Sequence, residues 1–585
     1  MSRIPCRRLI VALTLPFAVP LVSAAPTKLV TQSPQAVTEV APGVFLADFG
    51  RVAFGNLRLL PPAGATGAVT VHFGEALKAG RIDRQPGGTI RYARATTTLA
   101  GPAPLVVAPA ADARNTKQPA AVLTPADWGV VLPFRWVEIE GWPGPLHQAQ
   151  LERRAAFALT WQDDAAAFHC DDATLNGIWE LCRYSIKATT FAGVYVDGDR
   201  ERIPYEADAY LNQLSHYACD PDPTMARDTF DRLLKYPTWP TEWAAHVIFM
   251  AQADWMQTGD TAWLAARYDA LQAKLLLDRA RPDGLLVSTP AQIKQGDIVD
   301  WPVGERDGFV FSPVNSVVNA FHLRAVALLA ELARALHRNT DAAALTDRLR
   351  STGAAFQREF FDPVRGVYRD GIGTDHASLH ANLFPLAFGL VPPEHRASVV
   401  ALLRTKGMAC SVYAAQYLLA ALFENDAADA ALALIAAPGD RSWRHMLESG
   451  TTITWEAWDN RYKPNQDWNH AWGTAPANLL PRYVLGVSAL APGWMCVRLR
   501  PHPGALTRCE GRVPTPRGPV DVRWQRGAAF TLSFTLPPGT TARLELPATG
   551  QDTVTIDGQP AAATRAGPWL LVAGDWSAMH TVEVR

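Results

Sequence analysis

The chain carries almost no net charge, −1 over 585 residues. No basic stripe or acidic block runs along it, which argues against nucleic acid and anionic membrane as partners. Charged residues make up only 19% and hydrophobic ones 48%, a globular balance and not a disordered one. Beyond the first two dozen residues no run of roughly twenty apolar residues occurs, so no membrane span is expected. Cysteine is scarce. Cys170, Cys182, Cys219, Cys410, Cys496 and Cys509 follow the N-terminal stretch, and their spacing matches no metal motif. Cys496 and Cys509 form a candidate hairpin pair; the others read as buried thiols, and no catalytic cysteine is expected. A Gly-rich phosphate loop, a Gly-x-Ser-x-Gly elbow, a calcium-ligand loop and a short fixed-period repeat are all missing. No cofactor and no metal are therefore expected.

What is present divides the chain. Arg3, Arg7 and Arg8 precede an apolar run, Leu9 to Val22, broken by Pro16 and Pro20 and followed by the small residues Ser23 and Ala24. Residues 1–24 thus read as a secretory signal, and the mature protein as exported, periplasmic or extracellular. The remaining length exceeds what one core usually serves. From Val44 to about Trp161 short alternating runs, Val44–Phe49, Val69–Phe73 and Trp136–Glu140, predict a β-sandwich in residues 25–164. From Ala165 the period lengthens. Alanine- and leucine-rich segments at about 172–190, 204–218, 223–235, 241–257, 261–280, 313–337, 341–360, 393–405, 411–423, 426–436 and 472–486 predict helices. That number of helices can close as six hairpins, an (α/α)6 toroid, across residues 165–487. Strand signals return at Met495–Leu499, Val520–Trp524, Phe530–Leu536, Thr541–Leu546 and Thr553–Ile556, predicting a second β-sandwich in residues 488–585.

Three loops between the helices are rich in polar and aromatic residues. The first, Val196 to Asp208, holds Asp197, Asp199, Glu201, Glu206 and Asp208 together with Arg200 and Arg202. The second contains Asp297, Asp300-Trp301-Pro302 and Glu305-Arg306-Asp307. The third runs from Thr451 through Trp455-Glu456-Ala457-Trp458 to Asp467-Trp468-Asn469-His470. Loops at one end of a toroid meet over its centre, so these three are expected to share one cleft. Glu201 has two readings: a proton donor in that cleft, or an ion-pair partner of Arg200, Arg202 or Arg306. Pro204 suits a helix start, which places Glu206 and Asp208 in the first turns, where the helix dipole favours acids. Glu456, flanked by tryptophans, is expected to be desolvated and its pKa raised. His470 can bond a substrate hydroxyl or a neighbouring carbonyl. Asp300 before Trp301 pairs an acceptor with a stacking ring, and Tyr236 to Trp243, including Trp239, adds ring faces or packs the toroid. The 19 tryptophans suit either sugar stacking or a large aromatic core. Two carboxylates from distant loops among tryptophans point to glycosidic bond hydrolysis.

At these residues the chain resembles the bacterial α-L-rhamnosidases of glycoside hydrolase family 78. The similarity includes Asp48-Phe49-Gly50-Arg51-Val52-Ala53-Phe54-Gly55-Asn56-Leu57, Asp300-Trp301 and Ala491-Pro492-Gly493-Trp494. Its most specific part is Thr454-Trp455-Glu456 with Trp468-Asn469-His470-Ala471-Trp472-Gly473. Glu201-Arg202, Tyr205 and Asp208 fit the spacing of the family's acid motif. The family writes Asp-Cys-Pro upstream and a Trp where Tyr205 stands; here the upstream part is shorter, Asp197-Gly198-Asp199-Arg200. The resemblance implies Glu201 as general acid and Glu456 as general base. It implies that Asp197, Arg200, Asp208, Asp300 and His470 hold the sugar hydroxyls, and Tyr205, Trp239, Trp301 and Trp455 are the rings expected beside them. It also implies release of terminal α-L-rhamnose with inversion, from a carbohydrate substrate. Two other readings stay open: the same toroid acting on a different deoxy sugar or uronic-acid-linked residue, and a non-catalytic carbohydrate-binding protein.

Overall fold

The computed structural model describes residues 26–117, 120–548 and 550–585. The stretch read as a secretory signal lies outside the described residues.

The N-terminal domain is a β-sandwich built around one long strand, Val44–Leu59. This strand pairs with Leu132–Glu140 on one side and with Leu151–Ala158 on the other. Its register against Leu132–Glu140 slips between Asp48 and Ala53, which bends the strand from one layer toward the other. Alternate residues Phe45, Ala47 and Phe49 then point into a core shared with Val69, Val71, Phe73 and Phe134. The segments Val44–Phe49, Val69–Phe73 and Trp136–Glu140 all lie in strands, as their alternation predicted.

The helices close as a ring. Glu206–Cys219 packs on Ala244–Thr258, which packs on Ser316–Ala335. From there the contacts pass through Leu379–Ala387, Val412–Glu424 and Ala475–Leu479 and back to Glu206–Cys219. Outer helices such as Thr224–Lys235, Asn339–Phe360, Arg396–Lys406 and Ala428–Ile435 pack on these inner ones. Inner helices are buried nearly all round, which explains their composition. Ser316–Ala335 is apolar enough to cross a membrane, yet 83% of its apolar window is buried inside the toroid. On the axis an aromatic plug forms, with Phe321 4.8 Å from Phe384 and Phe384 5.4 Å from Tyr417 between ring centroids.

Three differences from the sequence reading have local causes. The helix expected over 261–280 breaks into Thr261–Ala265 and Tyr268–Gln272, and Leu276 follows in left-handed backbone. Leu379–Ala387, absent from the expected helices, is helical despite its internal Pro385. The free Pro385 ring is accommodated because the helix is short and wholly packed. Cys496 and Cys509 do not pair; all six described cysteines are free.

Two sheets form the C-terminal β-sandwich. Strand Ala167–Cys170, which precedes the first helix, adds to one of them by pairing with Arg508–Val513. The chain thus leaves its last domain tied to the entrance of the toroid. Trp524 Nε1 adds a bond to Val484 O at 2.9 Å, in the π-helical segment Leu480–Leu485 that follows the last inner helix.

Candidate active site

The first loop crosses the toroid between the helices Ala173–Ala188 and Glu206–Cys219. It turns tightly at Gly198–Arg202, where the Arg202 amide donates to Gly198 O at 3.2 Å. Gly198 has φ +125°, and a Cβ there would lie 2.9 Å from Asp467 Oδ2 on the third loop. Only glycine suits both constraints. The turn sorts the charge run into two faces. Asp199 and Arg202 point toward the first sandwich. Asp199 accepts from Arg202 Nη2 at 2.6 Å and from Arg91 Nε at 2.6 Å, and Arg202 lies over the Phe191 ring. Asp197, Arg200, Glu201, Tyr205 and Asp208 point the other way and line a small cleft of about 100 Å³ with Glu456 and His470.

Arg200 joins the two candidate carboxylates. Its Nη1 donates to Glu456 Oε2 at 2.9 Å, its Nη2 to Glu456 Oε1 at 3.2 Å, and its Nε to Glu201 Oε1 at 3.3 Å. Of the three arginines weighed as partners of Glu201, only Arg200 takes that role. Tyr205 Oη donates to Glu201 Oε2 at 3.0 Å. The Glu201 side chain keeps 32% exposure, whereas Glu456 keeps 3%.

Glu456 is the most tightly held group in the cleft. Besides Arg200 it takes Lys463 Nζ at 3.0 Å and the Asp467 amide at 3.0 Å. Burial alone would raise its pKa, but His470 when charged, Arg200 and Lys463 together pull it down to about 2. The sequence expectation of a raised pKa is therefore overturned. Burial does desolvate the carboxylate, but Arg200 from the first loop and Lys463 from the third outweigh it. His470 is itself too buried to stay charged, its pKa pushed down to about 3, so at neutral pH the cations on Glu456 are Arg200 and Lys463. The His470 Nε2 faces Asp208 Oδ1 at 3.4 Å, and its Nδ1 is buried with no partner among the described residues. Asp208 and Asp197 are both held well above the usual carboxylate range. Burial is the main cause, followed by Glu456 for Asp208 and by Glu201 for Asp197.

Aromatic rings complete the wall. Trp239, 53% exposed, stands at the rim, and Trp243 meets Tyr205 edge to face at 5.7 Å. Glu206 holds the Trp239 loop, since its Oε1 accepts the Thr238 amide at 2.9 Å and its Oε2 the Thr238 hydroxyl. Trp301 also lines the cleft. Asp300 and Trp455 stand behind the wall. The Asp300 carboxylate accepts from His380 Nε2 at 2.7 Å, the Ser411 amide at 2.9 Å and the Ser411 hydroxyl, so it fixes the second loop on the starts of two inner helices. Trp455 stacks on Trp468 at 4.8 Å between centroids. Sequence reasoning missed Lys463 and Asp467 as partners of Glu456. Both lie in or beside the third loop, and no local pattern marks them. Among the described residues no group of three or more His, Cys, Asp or Glu side chains could hold a metal ion. Larger cavities exist, such as one of about 460 Å³ between the far end of the toroid and the last domain, but it brings no carboxylate pair together.

Comparison with known proteins agrees with this architecture. Residues 163–484 match the bacterial α-L-rhamnosidase six-hairpin glycosidase domain, residues 38–157 the concanavalin-like domain and residues 486–560 the C-terminal domain of the same proteins. The fold is thus that of the six-hairpin glycosidase domain with its two flanking β domains. The chain belongs to the bacterial α-L-rhamnosidase family, glycoside hydrolase family 78. It is 25% identical over 557 residues to an α-L-rhamnosidase of Streptomyces avermitilis, covering 88% of this chain and 50% of that protein. Against an α-L-rhamnosidase of Alteromonas sp. the identity is 29% over 249 residues, 40% of this chain and 26% of that one. The chain thus spans about half, or less, of the length of these relatives. Among solved structures, the Streptomyces avermitilis α-L-rhamnosidase complexed with L-rhamnose superposes with a TM-score of 0.78 at 21% identity, covering 96% of this chain and 54% of that one. The enzyme from Dictyoglumus thermophilum gives 0.79 at 18%, with 96% and 64% covered.

Proposed function

We propose that this chain is a glycoside hydrolase that releases terminal α-L-rhamnose from glycosides or polysaccharides, using water and inverting the anomeric centre. The observation that carries the reading is the bridging of Glu201 and Glu456 by one arginine in a cleft at the toroid axis. Glu201, the more exposed, protonates the leaving oxygen; Glu456, ionised at neutral pH, activates water. One guanidinium spans the gap, so their nearest oxygens lie no more than about 8.5 Å apart, compatible with the roughly 6.5–9.5 Å that inverting enzymes use. Asp197 and Asp208, which burial holds above the usual carboxylate range, line the space a sugar would fill, while Trp239, Trp243 and Trp301 offer ring faces. Simple sugar binding needs no such carboxylate pair. The Streptomyces relative was solved with L-rhamnose, which supports rhamnose as the sugar. Export rests on residues 1–24, and a purified secreted protein beginning at Ala25 is the expected product.

The test is a panel of nitrophenyl glycosides with wild type, Glu201→Gln and Glu456→Gln. Release from the α-L-rhamnoside, lost by orders of magnitude in both folded variants, is expected, with the β anomer appearing first by NMR. Near-normal turnover in either variant would remove that residue from its role. Cleavage of another glycoside alone would change the sugar.

A further inference from the structure

The first β-sandwich reaches into the catalytic region beside the third loop. The segment after its short hairpin returns across the third loop, and the Thr89 amide donates to Gln466 O at 3.0 Å. The Thr89 hydroxyl lies 3.1 Å from that oxygen and bonds Asp467 Oδ1. The approach leaves no room for side chains. A Cβ on Gly88 would meet Gln466 O at 2.8 Å, and one on Gly87 would meet Asn460 Nδ2 at 2.7 Å. A second strap lies alongside: Asn469 Nδ2 donates to Glu75 Oε1 at 3.0 Å and Arg91 Nε to Asp199 Oδ2 at 2.6 Å.

Asp467 is completely buried, and each of its polar groups serves the site. Its amide donates to Glu456 Oε2 at 3.0 Å, and its carbonyl accepts the Glu456 amide at 3.0 Å. Its Oδ2 accepts the Arg200 amide at 3.2 Å. Its Oδ1 takes the Thr89 hydroxyl. Thr89 is therefore one bond from a residue that touches both Arg200 and Glu456.

We propose that Thr89 is a positioning residue of the active site, fixing Asp467 and through it the angle at which Arg200 and Glu456 face the cleft. The first sandwich is then a working part of the catalytic centre and not a detached sugar-binding module. This deepens the glycosidase reading above and rests on it. Without the hydroxyl, Asp467 Oδ1 is a buried acceptor with no donor, a costly state that the loop relieves by moving. Burial already pushes the Asp467 carboxyl up to about 7 against the pull of Arg200 and Thr89, and loss of the Thr89 donor pushes it further the same way.

The experiment compares Thr89→Val, Thr89→Ser, Asp467→Asn and the Val/Asn double variant in the full chain, on whichever nitrophenyl glycoside the wild type cleaves. In Thr89→Val, kcat is expected to fall about 10- to 100-fold, the cost of a small misplacement of reacting groups, with KM within about twofold. Thr89→Ser restores kcat. In the Asp467→Asn background the Thr89→Val loss disappears, because the two act as one unit. Unchanged kcat in Thr89→Val, equal damage in the Ser and Val variants, or additive losses in the double variant would each overturn the clamp. If Thr89→Val does not fold, the Ser variant and the Asn background still decide. The wild type with Glu201→Gln and Glu456→Gln tests the glycosidase reading separately: an active wild type that loses turnover in both, alongside an unimpaired Thr89→Val, sinks the clamp alone. A wild type inert on the whole panel removes both.

Discussion

Lys463→Met tests how Glu456 is kept ionised. Lys463 and Glu456 are both buried, with 5% and 3% side-chain exposure, and Nζ lies 3.0 Å from Oε1. At an effective dielectric near 20 a charge pair at that distance is worth about 5 kcal/mol, an upper figure because the bidentate Arg200 remains and water relaxes into the gap. Opposite charges at such range typically move a carboxylate by about 1–3 units. Glu456 is expected to rise from about 2 to roughly 3–5 in the variant. A carboxylate with a depressed folded pKa contributes stability that is complete above its unfolded value, near 4.5, and is lost as pH falls through the folded one. In the wild type that window is pH 4.5 down to about 2, and the contribution is roughly 3 kcal/mol. In Lys463→Met the window narrows and most of this term vanishes at every pH above it. Two measurements follow. The acid limb of kcat/KM, which reports the free enzyme's base, moves up by at least one unit. Urea unfolding near pH 6 shows a loss of about 1–3 kcal/mol relative to wild type, and the gap narrows below pH 4.5 and closes as pH falls through about 2. An acid limb that stays in place while the variant remains folded would show that Lys463 does not set the charge on Glu456, or that Glu456 is not the base.

Gly198→Ala forces a side chain into φ +125° and against Asp467 Oδ2 at 2.9 Å; it is expected to cost about 1–3 kcal/mol of stability and to cut kcat at least tenfold, read by thermal shift and steady-state kinetics. Glu206→Ala releases Thr238 and the rim Trp239, so KM rises severalfold while kcat changes little. Denatured protein that begins at Ala25 titrates six free thiols, and dithiothreitol leaves the melting temperature unchanged; a shift under reducing conditions would reveal a bond between cysteines that are separate here.

The toroid was legible because helical period survives in segments such as 313–337 and 411–423, where inner helices are apolar nearly all round. Leu379–Ala387 escaped notice since its proline argues locally for a break, and only the packing around it argues for a helix. Of the site, what could be read was what motif spacing carries: Glu201, Tyr205 and Asp208 on one loop, Glu456 and His470 on another. What could not be read was set by contacts hundreds of residues apart. The pKa of Glu456 depends on Arg200, 256 positions away, and Asp467 is held by Thr89, 378 positions away. Asp300 shows the converse. Its pairing with Trp301 suggested a hydroxyl acceptor, but His380 and Ser411 claim its oxygens, and neither is near it in sequence.

The Gly198–Arg202 turn explains how five carboxylates coexist within twelve residues. If all five were ionised side by side their mutual repulsion would be severe. The fold gives each a different partner. Asp199 neutralises Arg91 and Arg202 on the sandwich side. Glu206 bonds Thr238 and so holds a rim aromatic. Burial pushes Asp197 and Asp208 well above the usual range, which favours their uncharged forms and eases the repulsion. Glu201 remains, bonded only through Arg200 and Tyr205 and the one member of the five left substantially exposed. Because the link from Asp197 to Glu201 is short, the arginine that steadies Glu201 is its immediate neighbour, and the same guanidinium reaches Glu456. Arg200 thus stands in the wall of the cleft beside both carboxylates. The carboxyl a substrate can reach is the one with the least protein around it, and the charge beside it is fixed by the turn itself.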